Sequence, residues 1–238
     1  MKNKNLIVII VILLTFIAGG VTSYLVFNNN EVIKKQELPK PEITDGVRGT
    51  MFGIDKNINE ETVDNYLNRD DSVYRDMRML IDEGDYESIG GDSYLSGIIK
   101  GFEAVPFPLI VNVTGLPEEV GNTYQGTTLF TLTDDGEYIA NYEESMEYLE
   151  YYFPKDKYIF LMCGGGGYSG MMKSMLITLG WDKDKIYNTG GHWYYKGNNN
   201  IAIKNTSSGE VSYDFWKVTY HDIDFNILHK VNWWKRHY

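Results

Sequence analysis

Apolar and polar positions follow three regimes along the chain. The first is continuous: LIVIIVILLTFIAGGVTSYLVF, from Leu6 to Phe27, is an apolar run of 22 residues. At about 1.5 Å of rise per residue such a run just crosses a hydrocarbon core of roughly 30 Å. The second regime, residues 28–45, is polar, contains Pro39 and Pro41 and has no period, which predicts a tether. The third begins near Thr44, where short apolar runs alternate with segments of helical period.

Within that third regime, NINEETVDNYL predicts a short amphipathic helix capped by Asn59, with Val63, Tyr66 and Leu67 on one face. SVYRDMRML, EAVPFPLIVNV and KYIFLMC read as strands. Between the second and third of these, NYEESMEYLEYYF reads as a helix with Asn141 and Glu144 at capping-box spacing. SGMMKSMLITLG predicts a helix with Met171, Met175, Leu176 and Leu179 inward and Gly180 at its stop, and KIYNTGG returns as a strand. Strands alternating with helices predict an α/β fold, a mainly parallel sheet flanked by helices.

Composition narrows the function. The chain has 238 residues, 43% of them hydrophobic and 14% aromatic, enough for a full core. A formal charge of -11 without long runs of either sign argues against a nucleic-acid partner. Lys2 and Lys4 ahead of the apolar run favour a cytoplasmic N-terminus and a globular part outside the cytoplasm, a single-pass cell-membrane protein. The alternative is a secretory signal cut after Ser23. Both readings export the protein.

A single cysteine permits no internal disulfide and no Cys-rich metal site. Cys163 ends the strand YIFLMC and is followed by Gly164, Gly165, Gly166, Gly167, Tyr168, Ser169 and Gly170. In a strand, loop, helix unit this loop lies at the carboxyl edge of the sheet, where open α/β sheets place ligands. Glycines at 164–167 can take positive φ and present bare N–H groups, and the positive end of the following helix favours an anion on sulfur. The other reading of Cys163 is a small inert hydrophobe beside a tight turn. A phosphate-binding P-loop fits poorly, because the lysine of this segment, Lys173, falls inside the helix. A cysteine phosphatase needs arginine at the sixth place after the cysteine, and that place holds Ser169.

Three blocks resemble the rhodanese family of single-domain sulfurtransferases. DMRMLIDEGDY from Asp76 resembles the family's Asp-Val-Arg strand end. SGIIKGFEAVPF resembles its Gly-His-Ile-x-Gly-Ala-x-x-Ile-Pro segment, with Gly97, Ile99, Gly101 and Pro106 in place and Ile98 where histidine is usual. FLMCGGGGYSG with GWDKDKIYNTGGHWYY resembles the active-site loop, its helix and the terminal Gly-Gly with a tryptophan, here Gly190, Gly191 and Trp193. The resemblance covers residues 59 to 196. It implies a rhodanese-like domain over 46–200 with an insertion near 114–140, preceded by the membrane or signal segment 1–27 and the linker 28–45, and followed by an extension, 201–238, packing on the domain.

The resemblance further implies that Cys163 carries sulfane sulfur as a persulfide and that residues 164 to 169 cradle its outer sulfur. Its partners are then a small sulfur-containing donor and a thiol or other nucleophilic acceptor, with no cofactor. Asp76 and Arg78 are expected as a structural ion pair at the sheet edge, the other reading being a direct catalytic part. Family loops often carry arginine or lysine where this chain has Gly164 and Tyr168, which counts against efficient use of thiosulfate and leaves an inactive binding module at the cell surface as the alternative. The insertion reads as an added loop or hairpin over the site, and the tail as one or two strands on the core, with Trp233 and Trp234 in core packing or at a membrane. Of the four histidines, His192 is the candidate acid or base near the thiol, against a surface or stacking role; no spacing suggests a metal.

Overall fold

The structure is a computed structural model in which residues 37–44, 53–81, 95–112 and 126–232 are described. The chain divides into two compact units, Met1–Leu38 and Pro39–Tyr238, and every element below belongs to the second. The apolar run Leu6–Phe27, with the membrane or signal segment read from it, lies outside the described residues, as do Trp233 and Trp234.

In chain order the strands are β1 (Ile43–Thr44), β2 (Ile54–Asp55), β3 (Ser72–Asp76), β4 (Gly97–Ile99) and β5 (Glu103–Ala104). Helix α1 (Phe107–Ile110) and the hairpin β6 (Phe130–Leu132) and β7 (Tyr138–Ala140) follow, then helix α2 (Ser145–Tyr152). Strand β8 (Tyr158–Cys163), helix α3 (Gly167–Thr178) and strand β9 (Ile186–Gly191) form the next unit. Strands β10 (Asn200–Ala202), β11 (Lys204–Asn205) and β12 (Ser212–Tyr213) complete the set.

The centre is a four-stranded sheet of order β5-β3-β8-β9 in which each neighbouring pair is parallel. Strand β8 occupies an inner place, and Ile159, Phe160, Leu161 and Met162 are buried in succession. An uninterrupted apolar run is what a strand covered on both faces requires. Burying each such side chain stabilises the fold by about 1.5–3 kcal/mol. Helix α3 contributes Met172, Met175 and Leu176 to the core, while Met171 and Leu179 are half-buried. Gly180, at φ +97°, ends that helix as the sequence predicts. Trp181 then returns its indole N–H to the Phe153 carbonyl at 2.6 Å, tying the exit of α3 to the end of α2.

Three local readings are corrected. The first helix is a single 3-10 turn, Val63–Tyr66, with Val63 as its buried residue. The run EAVPFPLIVNV is not one strand: two residues form β5, and Phe107–Ile110 turn into α1, all four buried. Proline explains the change, because Pro108 has no N–H for a ladder yet is tolerated in the first turn of a helix. The capping box at α2 does not form. The Asn141 carboxamide donates instead to the Thr128 carbonyl at 2.9 Å, and Ser145 Oγ accepts the Tyr142 N–H at 3.0 Å while donating to the Leu129 carbonyl at 2.7 Å.

The insertion contains the antiparallel hairpin β6–β7, and Phe130 from it enters the core. The tail holds the short antiparallel pair β11–β12 and reaches the core further on through isolated bridges. Tyr220 bridges to Ala104 on edge strand β5, Lys230 bridges to Tyr142, and Ile223 is buried in the core. Strand β10 pairs antiparallel with β4, so the boundary expected at residue 200 runs through a strand.

Candidate functional site

Cys163 is the last residue of β8 and pairs with Gly191 at the end of β9, across a register shift between Leu161 and Cys163. The residue is 3% exposed. Gly166, at φ +104°, reverses the chain and caps α3, which places the head of a twelve-residue helix behind the sulfur. The Gly166 N–H donates to Cys163 Sγ at 3.0 Å, and Ser169 Oγ in the first turn of α3 lies 3.5 Å from the same sulfur. The Gly166 N–H thus donates to Sγ and the Ser169 hydroxyl stands within reach of it, both from the helix side, with the dipole favouring negative charge there.

The glycines divide into distinct roles. Of residues 164–167, Gly166 is the one with positive φ, so the loop is not a uniform run of left-handed backbone. Gly164 is small because the Trp193 indole packs on it: a Cβ there would stand 2.5 Å from the ring, whereas one at Gly165 would meet the same ring at an ordinary contact distance of 3.4 Å. The Trp193 N–H donates to the Gly164 carbonyl at 3.2 Å, holding the ring's own backbone to the loop. Gly167 faces open space. Tyr168, expected in the cradle, is 5% exposed, and its ring packs on Phe107 with centroids 5.6 Å apart.

Asp76 ends β3 one strand away, in register with Met162, and forms the expected pair with Arg78. Arg78 donates from Nε to Asp76 Oδ1 at 2.9 Å and from Nη2 to Asp76 Oδ2 at 2.6 Å, a two-pronged contact. Nη2 also donates to the Gly97 carbonyl at 2.6 Å. Both side chains are almost fully buried, and Arg78 Nη1 is buried without a hydrogen-bond partner. The pair therefore staples β3 to β4.

His192 lies on the other side of Gly97, where a Cβ would stand 3.0 Å from its ring. Its Nε2 is 2.8 Å from Asn200 Oδ1, which makes Nε2 the protonated nitrogen of the neutral ring. Burial, together with the Arg78 guanidinium, lowers its pKa to about 4. A ring bonded to Asn200 and neutral near pH 7 supplies no cation to the site, and its stacking partner is Tyr195. Ile98, where the resembled family usually has histidine, is 2% exposed in β4.

One residue that sequence reasoning passed over stands at the centre of this arrangement. Asn188, in the middle of β9, is fully buried. Its Oδ1 accepts from Ser169 Oγ at 2.7 Å and from the Gly190 N–H at 3.1 Å. Its Nδ2 donates to the Gly53 carbonyl at 2.6 Å and the Gly166 carbonyl at 3.1 Å. The signal was present in KIYNTGG: a carboxamide inside a buried strand has to find its partners within the protein.

Among the described residues no group of three or more His, Cys, Asp or Glu could hold a metal ion, and no helix is long and apolar enough to cross a membrane. No protein-family model, no curated protein and no solved structure matches this chain.

Proposed function

We propose that the chain is a membrane-anchored, exported sulfurtransferase with a rhodanese-like domain, carrying sulfane sulfur as a persulfide on Cys163. The observation that supports this reading best is the Gly166 N–H donating to Cys163 Sγ at 3.0 Å, between the carboxyl end of β8 and the head of α3. Backbone donors and a helix N-terminus stabilise negative charge without contributing side-chain bulk, as a thiolate and a persulfide both require.

In the proposed cycle the Cys163 thiolate attacks the outer sulfur of a donor R–S–S⁻. The new bond is Cys163 Sγ–S; the donor S–S bond breaks and its electron pair leaves on the thiolate R–S⁻. An acceptor thiolate then attacks the outer sulfur, takes it as a new persulfide and returns the electron pair to Cys163 Sγ. No net oxidation occurs. Residues 164–169 contain no lysine, arginine or histidine. A low-molecular-weight persulfide or a polysulfide therefore suits the site better than thiosulfate, a dianion needing a cationic partner.

The full-length protein, treated with each donor and measured by intact mass, is expected to gain one sulfur that cyanide or a reductant removes and that Cys163→Ser never acquires. A second reading, an inactive binding module of the same fold at the cell surface, is favoured by one observation: Cys163 is 3% exposed and Trp193 packs over the loop that leads to it. Failure of every donor to load a thiol that small alkylating reagents still reach would establish the binding module in place of the enzyme.

A further inference from the structure

The Ser169 hydroxyl has one hydrogen and three acceptors in reach: Asn188 Oδ1 at 2.7 Å, the Gly166 carbonyl at 3.1 Å and Cys163 Sγ at 3.5 Å. Asn188 uses all four of its hydrogen-bonding positions, two as acceptor and two as donor. Two of these bonds fall on Ser169 and Gly166, the residues whose O–H and N–H face the sulfur. The other two fix that pair to the rest of the fold, through the loop before β2 at Gly53 and through β9's own backbone at Gly190.

We infer that Asn188 is a positioning residue for Cys163, holding Ser169 Oγ and Gly166 in place so that both act on the sulfur. The inference names a supporting residue of the site proposed above, but its test reads the thiol itself and not sulfur transfer. While Cys163 is a thiol, the Ser169 hydrogen stays on the shortest line, toward Asn188 Oδ1, and Ser169 Oγ offers a lone pair to the S–H. When the thiol proton leaves to solvent, the anionic sulfur becomes the stronger acceptor, and the hydroxyl rotates about its Cβ–Oγ bond to donate to it. No proton passes between Ser169 and Asn188. Asn188 Oδ1 keeps the Gly190 N–H and is not left unsatisfied, and its Nδ2 bond to Gly166 keeps the backbone donor aligned in both states. Without the carboxamide, the Ser169 side chain and the Gly166 backbone both lose the partner that fixes their place beside the sulfur, and neither donor is held on the anion.

The test is the pH midpoint of Cys163 alkylation by iodoacetamide in the full-length protein. Asn188→Ala is expected to raise the midpoint by about one pH unit, as is Ser169→Ala, because each removes a donor to the charged form. In the double variant the Asn188 substitution is expected to add clearly less than its single effect, since the part that acts through Ser169 is already lost and the part that acts through Gly166 remains. Equal, additive shifts would assign Asn188 a general structural role and overturn the inference, as would a midpoint that is unmoved or lowered. Should Asn188→Ala fail to fold, the wild-type protein carries the test. The side-chain amide nitrogen of Asn188, followed by NMR, is expected to titrate with the alkylation midpoint and to lose that titration in Ser169→Ala. An amide signal indifferent to the thiol overturns the inference equally.

Discussion

The Trp193 indole lies against the Gly164 backbone so closely that a Cβ there would come within 2.5 Å of Cζ2 and 2.7 Å of Cε2. The ring is part of a half-buried turn whose own N–H is bonded to the Gly164 carbonyl, so neither partner can move away independently. Gly164→Ala is therefore expected to destabilise the protein by about 1–3 kcal/mol, the range for forcing an added methyl group into packed surroundings. Gly167 is the internal control. A methyl group added there would meet no atom within 4 Å, its φ is not positive, and it opens α3. Gly167→Ala should be neutral or stabilising by up to about 1 kcal/mol, from the better helix propensity of alanine. Urea denaturation of the two variants checks the pair, and equal effects would show that the loop glycines are not divided as described.

Tyr168 supplies a second separation between loop and core. Its ring packs on Phe107 and is buried, so Tyr168→Ala is expected to cost about 3–5 kcal/mol through the cavity it leaves. A loss well below 1 kcal/mol, with altered sulfur loading, would instead return this ring to the cradle.

Much of this architecture was legible in the sequence where a residue's surroundings are uniform. YIFLM is apolar throughout because β8 is covered on both faces, and Gly180 stops α3 because it alone there accepts φ +97°. Cys163 at the strand end was legible from the apolar run it closes, whereas the Asp76–Arg78 pair was expected from the resemblance of its segment to a known family's strand end. What the sequence concealed were residues whose role is set by partners far along the chain. Asn141 looked like a helix cap but serves Thr128, and Asn188 is made meaningful by Ser169, Gly166 and Gly53 together. The glycine at 164 looked conformational and is instead steric, a distinction that depends on where Trp193 lands.

The Asp76–Arg78 pair is the next measurable element. The carboxylate is 1% exposed and the guanidinium reaches both of its oxygens and the Gly97 carbonyl. Asp76→Ala leaves a buried cation uncompensated and is expected to cost about 3–5 kcal/mol. Arg78→Lys keeps the charge but cannot reach two carboxylate oxygens and a carbonyl from one planar fork, so a substantial part of that loss should remain. Denaturant midpoints of the two variants measure this; an Arg78→Lys protein as stable as wild type would mean that charge alone, and not the fork, joins β3 to β4.

His192 gives stability a dependence on pH whose sign follows from its surroundings. Burial and the Arg78 guanidinium disfavour the imidazolium, taking the pKa from 6.5 to about 4 in the folded protein. Between those two values the unfolded chain binds a proton that the folded chain does not, so protonation pulls the equilibrium toward unfolding. The contribution of the neutral ring is complete above about pH 6.5 and is lost as pH falls to about 4. With part of the ring exposed, the loss should be roughly 2 kcal/mol, below the full value of the shift. His229 works in the opposite sense: its bond to Glu144 raises its pKa, so its contribution is present below about pH 6.5 and fades as pH rises through the raised value. Because the two histidines oppose each other, the wild-type curve alone does not isolate either. His192→Gln retains a donor for Asn200 Oδ1 but cannot titrate. The free energy of unfolding, measured between about pH 7 and pH 4.5, should fall less steeply with acid in this variant than in wild type. Parallel curves would show that the His192 ring titrates in the folded protein as it does in the unfolded chain, and that Gly97, Arg78 and Asn200 do not enclose it as the structure indicates.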